Sequence, residues 1–138
     1  MSARVPSVIP PVPDADDPFF WDGAREGKLL LQACSDCGAI RHPPAPMCAR
    51  CRSLKWEARE ASGSGSVYSW IVSRHPTEPD AQPRVVVLVQ LDEGVRLVSN
   101  LVGVDPGDVR NDMPVEVVFV DYDGTVLPQF HPTNAGRG

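Results

Sequence analysis

All four cysteines of this chain fall in one short stretch, as Cys34-Ser-Asp-Cys37 and Cys48-Ala-Arg-Cys51 with ten residues between the pairs. No other feature restricts the fold as strongly. Each C-x-x-C pair puts two sulfurs on one tight turn, and a hairpin between the pairs brings the turns together. Four thiolates can then surround one ion tetrahedrally, at about 2.3 Å if it is zinc. The spacing is close to that of a zinc ribbon. Gly38, directly after the first pair, suits a backbone that bends sharply beside sulfur. Arg52 follows the second pair, so that turn must form without glycine. A thioredoxin-like redox site would need a single C-x-x-C beside a βαβ pattern, and neither is present. A disulfide pair and a rubredoxin-type iron are the remaining alternatives to zinc.

A zinc ion with four cysteine ligands is coordinatively closed, whereas a catalytic one keeps a position for water. One structural zinc per chain is therefore expected, bracing the fold and activating nothing. The tetrathiolate complex carries a formal charge of about −2, two zinc charges against four thiolates. Cations nearby have two possible uses. Arg41, Arg50, Arg52 and Lys55 either offset that charge or face phosphates, those of a coenzyme A tail or of a nucleic acid.

The charge is unevenly spread. From Cys34 to Arg59 there are five Lys/Arg against two acids, while from Ser62 onward there are five Arg against ten acids, in a chain of net charge −5. The Gly/Ser stretch Glu60–Ser66 marks the seam. With 138 residues and 42% hydrophobic content, a modest core is expected, in one domain or two very small ones. The longest apolar runs, Leu29–Leu31 and Val85–Val89, fall far short of the roughly 20 residues of a membrane span. The N-terminus has no apolar signal-peptide core. A cytoplasmic protein without membrane contact is the expectation.

Residues 1–16 are proline-rich and read as an extended arm. Asp17-Pro18 reads as a helix start, with Gly27 as its stop. This short helix carries Phe19, Phe20 and Trp21, which either pack on the protein's own core or anchor a partner. Lys28–Ala33 reads as a strand running into Cys34. Beyond the seam come five more runs, Val67–Arg74, Arg84–Leu91, Val95–Val102, Val115–Val120 and Val126–Phe130, with one helical turn near Asp105. Asp92-Glu93-Gly94 and Asp123-Gly124 supply hairpin turns. Five short β-branched strands suit a small closed barrel, which removes exposed edges. The expected organisation is an arm over 1–16, helix and ribbon over 17–60, and the barrel with a short tail over 61–138.

No catalytic constellation stands out. His42, His75 and His131 each lie near proline and read as solvated loop residues, without a nucleophile at motif spacing. Gly63-Ser-Gly65 precedes a strand, which defeats dinucleotide and P-loop readings. Asp121 and Asp123 read as turn residues.

Several segments together carry a family likeness. They are Phe19-Phe-Trp-Asp-Gly with Gly27-Lys-Leu-Leu-Leu-Gln-Ala-Cys34, the cysteine quartet enclosing Pro43, Pro44 and Pro46, Gly65-Ser-Val-Tyr-Ser-Trp70, Leu97–Gly103, Asp105–Arg110, Met113–Phe119 and Leu127–Phe130. From Phe19 to about Pro132 the chain resembles small proteins that join a rubredoxin-like zinc ribbon to an OB fold. They are long catalogued as a domain of unknown function associated with acyl-CoA metabolism. Asn111-Asp112 departs from the pattern, which has a glycine before the position of Met113.

The resemblance implies a mainly β chain with a short N-terminal helix, a zinc ribbon and a five-stranded OB barrel. It implies a non-catalytic accessory subunit that binds a thiolase-superfamily enzyme (thiolase, aldolase or acyltransferase). Such a subunit stabilises its partner and helps form its acyl-CoA channel, in a hetero-oligomer of two plus two subunits. A hot-dog-fold enoyl-CoA hydratase, as in steroid side-chain degradation, is the alternative partner. The rival class is single-stranded nucleic-acid binding, for which the acidic barrel is poorly suited.

Overall fold

The computed structural model describes residues 17–74, 77 and 83–133. The proline-rich arm, His75 and most of the loop before Arg84 lie outside them. The chain divides into two compact units, one of Met1–Ala61 with Phe119–Pro128, the other of Ser62–Val118 with Gln129–Gly138. Among the described residues no helix is long and apolar enough to cross a membrane.

The first unit opens with α1, Pro18–Arg25. Proline at its first position costs nothing, because that N–H has no helical acceptor. Asp17 precedes it but makes no side-chain capping bond; its carboxylate instead accepts from Trp21 Nε1 at 3.4 Å. The stop is as expected. Gly27 takes φ +75°, and the Gly27 and Lys28 amides return to the carbonyls of Ala24 and Gly23 at 3.0 and 2.8 Å, a Schellman ending. Three antiparallel strands follow: β1 (Leu30–Cys34), β2 (Ile40–Arg41) and β3 (Trp56–Glu60), in the order β2-β1-β3. Leu31, Ala33 and Cys34 of β1 are buried with Phe20, Ala24 and Leu29. Every residue of β3 is exposed, so no apolar alternation announced it.

Five further strands form the barrel, β4 (Ser64–Ser73), β5 (Arg84–Leu91), β6 (Arg96–Leu101), β7 (Pro114–Tyr122) and β8 (Thr125–Pro132), closed in the order β4-β5-β6-β8-β7. β4 runs antiparallel to β5 and to β7, and β5 to β6, while β6 and β8 run parallel with Leu101 opposite Phe130. Val85, Val87, Val89 and Leu91 alternate inward along β5 and pack with Val67, Leu97, Leu101, Val115 and Phe130. The mainly β architecture with one short helix and a five-stranded closed barrel is as the sequence implied.

Local details explain the less regular positions. The seam is partly strand, because Ser64–Ser66 begin β4. A Cβ on Gly65 would stand 2.5 Å from the Gln90 carbonyl oxygen, so only glycine lets β4 approach β5 there. Tyr68 sits at a register shift between Val67 and Ser69, and Asn111 Nδ2 donates to its carbonyl at 2.8 Å. Asp112, next to it, takes φ +64°. It fills the left-handed position that a glycine would otherwise occupy, and Asp tolerates it better than most residues. The helical turn after Asp105 is a single 3-10 turn, Pro106–Asp108.

Candidate metal centre

β1 ends on Cys34, and the chain turns at once. The Cys34 amide donates to the Ala39 carbonyl at 2.8 Å, the Gly38 amide to the Cys34 carbonyl at 2.9 Å, and the Cys37 amide to Cys34 Sγ at 3.5 Å. The second pair repeats the pattern. Cys48 donates to Ser53 at 2.9 Å, Arg52 to Cys48 at 2.8 Å, and the Cys51 amide to Cys48 Sγ at 3.5 Å. The fifth residue of each knuckle is left-handed, Gly38 at φ +80° and Arg52 at φ +66°. The second knuckle thus manages without glycine by holding an arginine in a conformation that disfavours side chains.

The two knuckles meet at their sulfurs. Cys34 Sγ lies 3.5 Å from Cys51 Sγ, and Cys37 Sγ lies 3.6 Å from Cys48 Sγ. All four sulfurs fall within 4.8 Å of one another. Sulfurs at about 2.3 Å from a common tetrahedral centre stand about 3.8 Å apart, so the set fits one ion. The sulfur separations are far from the roughly 2.05 Å of a disulfide. Cys34 and Cys48 are buried, while Cys37 and Cys51 face outward.

The backbone prepares part of this set for a cation. Donation by the Cys37 amide pulls the Cys34 thiol below its ordinary value. Donation by the Cys51 amide, then by that of Arg50, lowers Cys48 to about 6. Cys51 goes the other way. The Ser53 amide lowers it, but the Cys34 sulfur, lost hydration and the other two sulfurs together push it up to about 12. Thiolates this close repel unless a positive ion sits among them. Zinc bound there supplies bracing between two turns and no reactive position.

Side chains in roles that the sequence did not announce complete the frame. Ser53 Oγ donates to Asp36 Oδ2 at 2.6 Å, tying the second knuckle to the first. Gln32 is 1% exposed, and its Oε1 accepts the Ala45 amide at 2.8 Å. Arg41 donates to the Ala45 carbonyl from Nε and Nη2, at 3.2 and 3.0 Å. The proline-rich connection between the cysteine pairs is therefore held at Ala45 from both sides. The only trace of this in the sequence is a glutamine inside an apolar run.

The remaining candidates scatter. Phe20 is buried, edge-on to Trp21 at 4.9 Å and tilted against His42 at 5.4 Å. Phe19 and Trp21 are half-buried, and the Phe19 ring lies tilted against Trp56 with centroids 4.8 Å apart. Arg41 is engaged by Ala45, whereas Arg50, Arg52 and Lys55 are exposed. Two of the histidines depart from expectation. His42 is half-buried, and burial pushes its pKa below the ordinary 6.5. His131 lies on β8 with Nε2 3.7 Å from Glu116 Oε1. Asp121 Oδ1 accepts the Gly124 amide at 2.7 Å, the turn role expected of it.

Residues 21–57 match the family model of the ChsH2 rubredoxin-like zinc ribbon domain, and 58–120 match that of the ChsH2 C-terminal OB-fold domain. A DUF35 domain-containing scaffold protein of Pyrococcus furiosus is 31% identical over 78% of this chain and 85% of its own length. This chain belongs to the DUF35 family. A probable enoyl-CoA hydratase alpha subunit of Thermomonospora curvata is 42% identical over 92% of the DUF35 chain, which spans only 41% of that relative's length. Among solved structures, the Ltp2-ChsH2(DUF35) aldolase provides a chain with TM-score 0.83 and 42% identity, matched over 88% of this chain and 98% of its own. One structural zinc is the cofactor that the family's ribbon and this sulfur set together fit.

Proposed function

We propose that this DUF35 chain is the non-catalytic accessory subunit of a thiolase-superfamily enzyme (thiolase, aldolase or acyltransferase) acting on an acyl-CoA. It binds that enzyme, stabilises it and helps form its acyl-CoA channel. The observation that carries the reading is the likeness to a chain of the Ltp2-ChsH2(DUF35) aldolase, matched over 98% of that chain's length. The chemistry of the ribbon supports it. Zinc held by Cys34, Cys37, Cys48 and Cys51 has sulfur at every position, so substrate and water find no place on the metal. The reacting groups come from the other subunit, and the working assembly is a hetero-oligomer of two plus two. Mixing the purified chain with the Ltp2 aldolase subunit and an acyl-CoA aldol substrate tests this. The chain alone gives no cleavage and the mixture does. Turnover by the isolated chain rejects the proposal.

The alternative partner, a hot-dog-fold enoyl-CoA hydratase, is favoured by the likeness to a hydratase alpha subunit, of which this chain matches 41%. Loss of enoyl-CoA absorbance on adding a hydratase subunit, but no cleavage with the aldolase subunit, selects it. A nucleic-acid role has less support. Phe130 is 0% exposed and offers no stacking face, and the guanidinium of Arg96 lies 3.8 Å over the exposed Tyr68 ring, occupying one of its faces. A salt titration against an oligonucleotide checks it.

A further inference from the structure

The cations of the ribbon unit divide into two groups. Arg25 pairs with Asp22, Lys28 with Glu26 at 3.8 Å and Arg59 with Glu57 at 3.6 Å, while Arg41 is spent on a carbonyl. Arg50, Arg52 and Lys55 are exposed and have no carboxylate within reach among the described residues. They lie on the second knuckle and its exit. The most exposed of the ribbon's large apolar side chains lies among them, Leu54, at 66% exposure. Met47, at 48%, is its neighbour across the neck of the knuckle, because the Cys48 amide bonds the Ser53 carbonyl between them. Two residues beyond Leu54, Trp56 continues the apolar line and lies tilted against Phe19.

We infer that this face of the ribbon is a docking surface for the partner enzyme subunit, at a patch with an apolar centre and a carboxylate rim. The inference rests on the accessory-subunit reading and adds to it the place and chemistry of the contact. Charge complementarity carries the choice of occupant. In a chain of net charge −5, three unpaired cations around exposed Leu54 select a surface of opposite sign with an apolar middle. The patch is also held in shape. The Lys55 carbonyl accepts the Ser35 amide at 3.0 Å, and the Arg52 amide is bonded to Cys48. Little backbone ordering is then required on docking.

Binding of the Ltp2 aldolase subunit to the zinc-loaded chain tests the inference, with wild type, Leu54→Ser and Arg50→Glu/Lys55→Glu compared by surface plasmon resonance. Each variant is first checked for one zinc per chain. Both should bind at least tenfold more weakly than wild type, and charge reversal should also flatten the fall of the association rate with salt. Wild-type binding with both variants unchanged overturns the inference and leaves the accessory role standing. No binding by wild type removes both. Two other results overturn it as well: charge reversal that weakens binding of coenzyme A alone but not of the subunit, or that breaks self-association of this chain and leaves subunit binding unchanged.

Discussion

The paired knuckles offer a sterically clean measurement of backbone strain. Gly38 and Arg52 occupy the same position in the same hydrogen-bond pattern, at φ +80° and +66°. A Cβ built on Gly38 meets nothing within 4 Å, so Gly38→Ala adds no clash and only the torsional cost remains. Left-handed backbone costs an L-residue about 1–2 kcal/mol. Replacing glycine recovers about 0.5–1 kcal/mol of unfolded-state entropy. Gly38→Ala should therefore destabilise the ribbon by about 0.5–1 kcal/mol, and Arg52→Gly should stabilise it by a similar amount. The double variant should return close to wild type. Urea unfolding followed by tryptophan fluorescence reads the difference, with free zinc buffered at one concentration, because metal bound only to the folded state adds its own stabilisation. A Gly38→Ala chain as stable as wild type refutes the reasoning, as does an Arg52→Gly chain that is clearly weaker.

Other perturbations follow from the same geometry. Gln32→Leu keeps the volume but leaves the Ala45 amide without its acceptor, and should cost about 1–3 kcal/mol in urea unfolding. Removing the metal with a chelator should unfold the ribbon, seen as altered Trp21 and Trp56 emission, and added zinc should restore it. The half-buried ring of His42 has a lowered pKa, so the unfolded chain binds the proton more readily. Its contribution is whole above pH 6.5 and lost as pH falls through the folded value, and a His42→Phe chain should show a flatter stability profile below pH 6.5. Gly65→Ala should open the β4–β5 seam, since its Cβ would stand 2.5 Å from a carbonyl oxygen; an unchanged melting temperature would contradict that contact.

Where burial follows a simple period, the sequence was readable. β5 alternates valines into the barrel, and Asp92-Glu93-Gly94 turns with Gly94 at φ +94°. Gly27 ends α1 as expected for the same reason, a left-handed position open to glycine. The unreadable parts lack any local pattern. β3 is exposed throughout and exists because β1 offers it an edge, so its signal lies in another segment. Three adjacent aromatics could not say which of them points inward, and only the packing of α1 on β1 places Phe20 inside. Gln32 and Arg41 act on one backbone position, Ala45, that is thirteen and four residues away along the chain. Such pairings require the folded chain. The cysteine quartet was legible because a metal site demands residue type and spacing together, a demand that few alternative folds can meet.

The closed sulfur set and the tied connection bear on how such a chain serves another protein. Asp36 and Ser53 join the knuckles, Gln32 and Arg41 hold Ala45, and the ion braces both turns. A surface mounted on that frame loses little freedom when it docks, which leaves more of the contact energy as affinity. A small chain with a modest core has little packing to fix the backbone that carries Leu54, Arg50, Arg52 and Lys55. The metal removes the need for it. If this is its use, loosening the frame without touching the face, as with Gln32→Leu, should slow association and speed dissociation of the partner subunit even while zinc stays bound. Unchanged binding kinetics in such a chain would mean that the brace serves folding alone.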